Sequence, residues 1–524
     1  MPTMRQLLAA LLCAGLGSIC VALTGDTCFP ETFNSDSVVC VCNSTSCGNI
    51  GKVEPENGRA IVYRSSMAGL RFHPVAVEFD GPSAGSNDTN AIDTDLTISV
   101  NANQTLQKII GFGGAFTDAA AINWMSLHAP LRKRLLEAYY GPNGLEYNMG
   151  RINMAGCDFS TRDYTYDDSL DDFELGNFTL AVEDTDYKIP MITAASRLAP
   201  EEIYYFGSPW SAPGWMKTNG RTHGPGGIKG SPGGKYYKTW AQYFVKFYNA
   251  YKARGVNLWG FTIQNEPTTG FLPWGWQTMA MSPYTQRDFV KKDLGPALFG
   301  AANDSINIMI LDDNRVMLPW WANVVLNDPD ANKYVAGVGV HWYLDGIRSA
   351  KVLDQTLNAH PDKFILNTEA CEGFQPLSHN VVLGRWERAE SYANSILNDL
   401  RHSVAGWVDW NLCLDLTGGP NWVKNFVDSP IIVNKDKQAF YKQPMYYALA
   451  HFTKFIPRGS FRLNDELQTS VGKISGVAFQ RPDGYKSAVF VNTGNNERTI
   501  FVKDDSGPQF RFKIGPRTIA SSIW

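Results

Sequence analysis

The chain reads as an α/β protein: a closed (β/α)8 barrel, the TIM-barrel architecture, with an accessory β-sandwich built from both chain ends and a small disulfide-bearing N-terminal segment. Three observations predict this. Between about residue 107 and residue 411, strand-like apolar runs alternate with helical ones. Short runs with the alternation of antiparallel strands flank that region on both sides. Four cysteines crowd the stretch ahead of the first flank.

Size and composition agree. A chain of 524 residues is too long for one core, so a large domain with a smaller companion is expected. Its 44% hydrophobic and 12% aromatic content is that of a globular protein, and 15 Trp suit a carbohydrate site, although a single Trp is more often core. A net charge of −4 at pH 7 gives no footprint for nucleic acid.

Residues 1–22 read as a signal peptide, with Arg5 before the apolar run Leu7 to Leu16 and small residues for cleavage at Cys20-Val21-Ala22. The run is too short for a membrane anchor, and no later segment is apolar enough to span a bilayer. Residues 23–55 hold Cys28, Cys40, Cys42 and Cys47 without paired histidines, which favours two disulfides over zinc. Adjacency leaves the connectivity open; Cys28 with Cys40 and Cys42 with Cys47 gives two short loops. In a secreted chain the sequons at Asn43, Asn87, Asn103, Asn177 and Asn303 are glycosylation candidates.

Residues 56–105 and 460–524 supply the sandwich. Its strand-like runs are Ala60 to Ser65, Phe72 to Phe79, Leu96 to Val100, Gly476 to Gln480, Ser487 to Val491, Arg498 to Val502 and Gln509 to Ile514. Neither flank alone has enough strands, so the barrel, residues 106–459, is inserted between two halves of one β domain. Its strands are expected at Lys108 to Phe116, Tyr147 to Asp158, Ile203 to Trp210, Leu258 to Glu266, Ile306 to Asp312, Val335 to Tyr343, Lys363 to Glu369 and Ala405 to Asn411. Helical period places Trp240, Phe244, Phe247, Tyr248 and Tyr251 on one face, and Ala389, Tyr392, Ala393, Ile396, Leu397 and Leu400 on another. Ser282 followed by Pro283 reads as a helix start.

A (β/α)8 barrel carries its site at the C-terminal ends of its strands. Glu266, in Thr262-Ile263-Gln264-Asn265-Glu266-Pro267, and Glu369, in Phe364-Ile365-Leu366-Asn367-Thr368-Glu369, end the fourth and seventh runs. A single glutamate is more often a surface ion-pair partner. Two at one barrel mouth match the paired carboxylates of a retaining glycoside hydrolase. Glu266 would protonate the leaving oxygen, Glu369 would attack, and Asn265 would hydrogen-bond the sugar 2-hydroxyl. An acidic optimum follows, because Glu266 must carry a proton while Glu369 stays ionised.

Longer motifs sharpen the reading. Gly111-Phe112-Gly113-Gly114-Ala115-Phe116-Thr117-Asp118, Ser208-Pro209-Trp210, His341-Trp342-Tyr343, Thr368-Glu369-Ala370-Cys371 and Gly418-Gly419-Pro420-Asn421-Trp422 resemble the lysosomal glucosylceramidases of glycoside hydrolase family thirty. The resemblance runs from the Cys28 cluster to Trp524. It implies a retaining barrel enzyme that cleaves glucosylceramide without a cofactor, Glu266 being acid/base and Glu369 the nucleophile. It also implies that Asp158, Trp210, Asn265, Trp410 and Asn425 surround the glucose. Arg151 would keep Glu369 ionised and Tyr343 would hydrogen-bond it. For each of these residues the competing reading is packing or a structural hydrogen bond. The chain departs from the family pattern at Gln264, at Asn314, in Cys371–Pro376 and in the loop Gly270–Trp276, which bear on the aglycone side.

Implied surroundings are the lysosome lumen with peripheral membrane association, or secretion, a saposin-like activator and an anionic lipid surface. Protonating all eight histidines in an acidic compartment would reverse the net charge and favour that surface. Other motifs are set aside. Gly81-Pro82-Ser83-Ala84-Gly85 precedes polar residues where a nucleophile elbow needs a helix. Gly233-Gly234-Lys235 meets Tyr236 where a phosphate loop needs Ser or Thr. The histidines lack metal-ligand spacing, and at Cys157 and Cys371, which flank expected site residues, a reactive thiol competes with the commoner buried unpaired cysteine; Cys413 stands singly in the body. The competing functions are another β-glycosidase on the same barrel and a catalytically dead binding protein.

Overall fold

The computed structural model describes residues 28–524 except 53, 81–93, 303, 304, 377 and 379. The leader 1–22, the Gly81–Gly85 loop, Asn87 and Asn303 lie outside the described residues. Strands β1 (Pro30–Thr32), β2 (Val38–Cys42), β3 (Arg59–Ser66), β4 (His73–Glu78) and β5 (Leu96–Lys108) open the chain. Strands β6 (Gly111–Phe116), β7 (Met149–Met154), β8 (Tyr204–Pro209), β9 (Leu258–Thr262), β10 (Asn307–Asn314), β11 (Val335–His341), β12 (Phe364–Glu369) and β13 (Val404–Asn411) close a parallel barrel in chain order. All eight expected barrel strands are present with adjusted ends.

The barrel interior changes character along its axis. Met149, Phe206, Met309, Leu366 and Val408 form a buried apolar layer. Two residues further along the same strands, and therefore on the same inward face, stand Arg151, Ser208, Thr368 and Trp410. The apolar layer plugs the barrel, and the polar layer above it floors the mouth at the C-terminal ends of the strands.

One strand ends earlier than expected. β9 stops at Thr262, and Glu266 lies four residues beyond it. There the chain leaves the ladder: the Asn265 N–H donates to the Pro209 carbonyl at 2.9 Å and the Glu266 N–H to the Asp312 carbonyl at 2.8 Å. Glu266 has φ 40°, a left-handed conformation that a non-glycine residue holds only when its surroundings over-determine it. In β10, Leu311 (φ 66°) and Asp312 (φ 59°) form a bulge opposite β11.

The helices follow their sequence period. Helix Lys235–Lys252 buries all five predicted aromatics, and helix Trp386–Arg401 buries its predicted apolar face. Each buried large side chain contributes about 1.5–3 kcal/mol of transfer free energy. The Ser282 hydroxyl accepts from the Thr285 N–H and Pro283 starts helix Pro283–Phe289. No helix among the described residues is long and apolar enough to cross a membrane.

After the barrel come β14 (Leu414–Asp415), β15 (Ile431–Asn434), β16 (Ala439–Lys442), β17 (Phe461–Thr469), β18 (Ile474–Gln480), β19 (Lys486–Asn492), β20 (Arg498–Asp504), β21 (Gln509–Ile514) and β22 (Thr518–Ile523). Among the described residues the accessory sheet has nine strands ordered β21-β20-β5-β17-β18-β19-β22-β3-β4, so both chain ends contribute. β5 is far longer than its apolar part, because the polar stretch Asn101–Gln107 pairs with β17 through two register shifts. β17 and β22 were not anticipated: β17 is largely polar and half exposed, and β22 is made mostly of small residues packed between β19 and β3.

A third sheet was also not anticipated. It has five strands ordered β1-β2-β16-β15-β14, so the N-terminal segment pairs with strands that follow the barrel. The disulfides are Cys28–Cys40 and Cys42–Cys47. Helix Pro444–Thr453 joins barrel to sandwich through buried His451, whose ring nitrogens lie 2.8 Å from Ser521 Oγ in β22 and 2.8 Å from Ser65 Oγ in β3.

Candidate active site

The polar layer converges on one guanidinium. Arg151, fully buried on β7, donates through Nη1 to Glu369 Oε2, through Nη2 to Asn265 Oδ1 at 2.8 Å and Asp312 Oδ2 at 2.8 Å, and through Nε to Ser208 Oγ at 3.1 Å. Glu369, the last residue of β12, also accepts from the Tyr343 hydroxyl at 2.7 Å. Asp312 is held from its other side by Thr262 Oγ1 at 2.7 Å and Thr368 Oγ1 at 2.6 Å.

His341, at the end of β11, bridges the two acidic branches. Its Nδ1 is 3.2 Å from Glu266 Oε1 and its Nε2 is 3.1 Å from Asp312 Oδ1. A carboxylate oxygen of Glu266, one of Glu369 and a ring nitrogen of His341 all lie within 4.8 Å of one another. Both His341 nitrogens are engaged and Arg151 already supplies positive charge to Glu369, so ion pairing accounts for this cluster without a metal. Carboxylate oxygens within 4.8 Å fit the roughly 5–5.5 Å carboxyl separation of retaining glycosidases better than the roughly 6.5–9.5 Å of inverting ones.

Comparison with known proteins agrees with that spacing. Residues 109–456 match the glycosyl hydrolase family 30 TIM-barrel domain, and residues 459–522 match the family 30 beta sandwich domain. The chain belongs to glycosyl hydrolase family 30. It is 45% identical over 503 residues to "Putative glucosylceramidase 3" of Caenorhabditis elegans, covering 95% of each chain. It is 45% identical over 480 residues to "Lysosomal acid glucosylceramidase" of Mus musculus, covering 91% of each. Among solved structures it is similar to SrfJ from Salmonella typhimurium, with TM-score 0.80, 25% identity, and coverage of 89% of this chain and 99% of that one. As a family 30 member the chain is a glycoside hydrolase of the retaining kind.

The rest of this glycoside hydrolase site forms one wall. Asp158, past the end of β7, accepts from Asn425 Nδ2 at 3.1 Å and Asn421 Nδ2 at 3.4 Å. Trp422 fastens the same loop, its backbone N–H donating to the Asp158 carbonyl at 3.2 Å and its indole to the Cys157 carbonyl at 3.0 Å. Trp210 and Trp410 stack at 5.2 Å between ring centres, and the Arg151 guanidinium lies 4.9 Å and 5.4 Å from them. The structure therefore brings together every residue the sequence reading placed around the sugar.

Two of the divergent positions have structural work. Gln264 Nε2 donates to the carbonyls of Trp210 at 2.8 Å and Asn265 at 2.9 Å. Asn314 Oδ1 accepts from the Leu344 N–H at 2.9 Å.

Sequence reasoning missed Asp312 and His341 as site residues. Both were visible: Asp312 ends an apolar strand-like run as Glu369 does, and His341 stands near the end of the next, in His341-Trp342-Tyr343. It also missed Asn421 and Trp422 in their supporting role.

Electrostatics follow from burial and pairing. Burial alone would lift Asp312, but Arg151 and then His341 hold its carboxyl well below the usual range. Burial would depress His341, yet the Glu369 charge and the bonds to Asp312 and Glu266 carry it up to about 10. Burial pushes Asp158 up to about 7, with Asn425 opposing and Glu369 reinforcing. Cys157 and Cys371 are buried thiols, pushed well above their usual value by desolvation.

The expected eight-histidine charge reversal needs correction. His341 already carries its proton at neutral pH, whereas burial pushes His451 down to about 3 and leaves it neutral in mild acid, so fewer than eight histidines change charge.

Proposed function

We propose that the chain hydrolyses the β-glucosidic bond of glucosylceramide to glucose and ceramide by double displacement. The observation that carries this reading is the Glu266–Glu369 pair, with oxygens within 4.8 Å at the barrel mouth. Glu369 attacks the anomeric carbon as Glu266 protonates the departing ceramide oxygen, leaving a glucosyl ester on Glu369. Glu266 then takes a proton from water, which attacks the same carbon and frees glucose and Glu369.

The surroundings support each step. Arg151 and Tyr343 hydrogen-bond the Glu369 carboxylate and aim it at the anomeric carbon. Arg151 and His341 are two cations facing two anions, Asp312 and Glu369, so these four charges balance among themselves. Once Glu266 has given up its proton, the His341 imidazolium beside it stabilises the carboxylate. Asp158, Asn265 and Asn425 suit sugar hydroxyls, and Trp210 and Trp410 offer apolar faces.

A lipid aglycone is supported by the rim and by the names of the relatives. Phe271, Leu272 and Trp274 after β9, Trp320 after β10, Leu344 and Ile347 after β11, and Leu416 after β14 are large, apolar and exposed. All follow strand ends in sequence, and exposed apolar side chains so placed suit an anionic lipid surface and ceramide. We assign the enzyme to the secretory pathway and the lysosome lumen, with residues 1–22 removed, exposed Asn103 and Asn177 among the glycan sites, and a saposin-like activator presenting the lipid.

A β-glucose-configured epoxide followed by peptide mapping tests the reaction. Label on the peptide containing Glu369, absent from Glu369→Gln, is expected; label elsewhere refutes the assignment. Turnover of glucosylceramide set against soluble β-glucosides and β-xylans tests the aglycone.

A further inference from the structure

The N-terminal hairpin lies close to the catalytic mouth, and the sheet it joins carries the loop that holds Asp158. That loop, residues 416–430, leaves at the end of β14 and returns at the start of β15. β14 has only two residues in register with β15, and β15 and β16 are four residues each. Three strands this short form a marginal sheet, and without a neighbour β16 would be an open edge. β2 supplies the neighbour, pairing antiparallel with β16 at Cys42, Val41 and Cys40.

Side chains continue the connection. Leu414, Ile432, Tyr441 and Val41 are successive cross-strand partners across four strands, so they share one face, and Val39 stands on it two residues before Val41. That face belongs to the same apolar cluster as Trp210, Trp410, Cys157 and Phe159, and Phe159 meets Trp410 edge-on at 5.9 Å. Phe33 of the hairpin packs edge-on against Tyr441 at 5.5 Å. In the hairpin turn, Asp36 accepts from the Trp386 N–H at 2.8 Å, where helix Trp386–Arg401 begins.

We propose that the disulfide-bonded hairpin is a positioning element for sugar binding: through the five-stranded sheet it sets Asn421, Trp422 and Asn425 against Asp158 and fixes Trp410 beside Arg151. Cys28–Cys40 and Cys42–Cys47 hold both of its strands, so the covalent staples act on substrate affinity as well as on folding. The hairpin's own ladder runs only to β16, whereas Glu369 ends β12 and Glu266 follows β9, so the hairpin reaches the two acids only indirectly, through the apolar cluster that holds Trp410 and Tyr343. Loosening it therefore weakens glucose binding more than it slows the chemical step. The inference rests on the reading of the site given above.

The test is Val39→Ala beside Val477→Ala, an equal truncation at a fully buried sandwich position. KM for an aryl β-glucoside, kcat, melting temperature and the Kd of a glucose-configured iminosugar are measured for both. Both variants are expected to melt earlier. Val39→Ala alone should raise KM and Kd by roughly fivefold or more, with kcat within about twofold of wild type. Val39→Ile should restore affinity, and the double substitution Cys42→Ser, Cys47→Ser should move KM in the direction of Val39→Ala if it folds. Unchanged KM and Kd in a Val39→Ala protein that has lost stability overturns the proposal, as does an equal rise in Val477→Ala. A wild-type protein inactive on every β-glucoside would fail the underlying assignment instead; an active one with unmoved affinities fails only this inference.

Discussion

Asp312→Asn removes one buried charge while keeping side-chain volume nearly constant, so it separates charge balance from shape. The wild-type carboxylate accepts from Arg151 at 2.8 Å, Thr262 at 2.7 Å and Thr368 at 2.6 Å, and it pairs with His341 at 3.1 Å. The variant leaves two buried cations facing one anion fewer, and its amide turns hydrogens toward groups that are donors. Removing one partner of a fully buried ion pair costs about 3–5 kcal/mol. Its pH dependence has a definite sign. His341, raised from 6.5 to about 10 in part by Asp312, contributes stability that is complete below pH 6.5 and is lost as pH rises through about 10. Asp312, held below its usual 3.8, contributes stability present above that value and lost only in stronger acid. Denaturant unfolding should therefore show the full deficit at pH 5 and a narrowing deficit toward pH 10. The kcat should fall as well, because Arg151 and His341 lose the group that orients them toward Glu369 and Glu266. A deficit below about 1 kcal/mol, or one constant across that range, would refute the charge-balance account.

Three more outcomes are expected. Tyr343→Phe deletes the 2.7 Å bond to Glu369 and should lower kcat/KM on an aryl β-glucoside by about 10- to 150-fold, since a hydrogen bond to a charged group is worth about 1.5–3 kcal/mol. His451, pushed down to about 3 by burial, opposes the fold as pH falls below its unfolded value of 6.5, a loss of roughly 2–3 kcal/mol by pH 4.5; unfolding of His451→Gln should show a flatter slope between pH 7 and 4.5, and an identical slope would be contrary evidence. Phe271→Ser combined with Trp274→Ser should weaken sedimentation with phosphatidylserine vesicles at pH 5 while leaving hydrolysis of a soluble aryl glucoside within about twofold; vesicle binding equal to wild type would remove the rim from the lipid account.

Much of the site was legible because its chemistry sits at strand ends. Glu369 closes an apolar run, and a barrel delivers such a residue to its mouth whatever the loops do. Glu266 was legible by its Asn-Glu-Pro context, but not its backbone, which leaves the strand at Thr262 and turns through φ 40° under the bonds from its neighbours. Asp312 and His341 escaped notice because each alone is an ordinary buried polar residue; only their contacts with Arg151 and Glu266 make them part of the network. β17 was missed because a strand with one wet face and mostly polar residues carries little apolar alternation.

By itself, the order of residues determined the architecture and the two acids. Period-two and period-3.6 apolar patterns name strands and helices locally, and eight such pairs in a row leave few ways to bury their faces. Tertiary structure alone decided which polar side chains meet. Arg151, Asp312, His341 and Glu369 come from four strands, and their ion pairing depends on distances of about 3 Å that no spacing along the chain encodes. It also decided the place of the cysteine-rich hairpin, whose covalent pattern is local but whose strand partner, β16, lies at the far side of the barrel in sequence. Backbone hydrogen bonding between strands reads geometry and not side-chain identity, so such a pairing becomes visible only once the barrel has brought the two segments together.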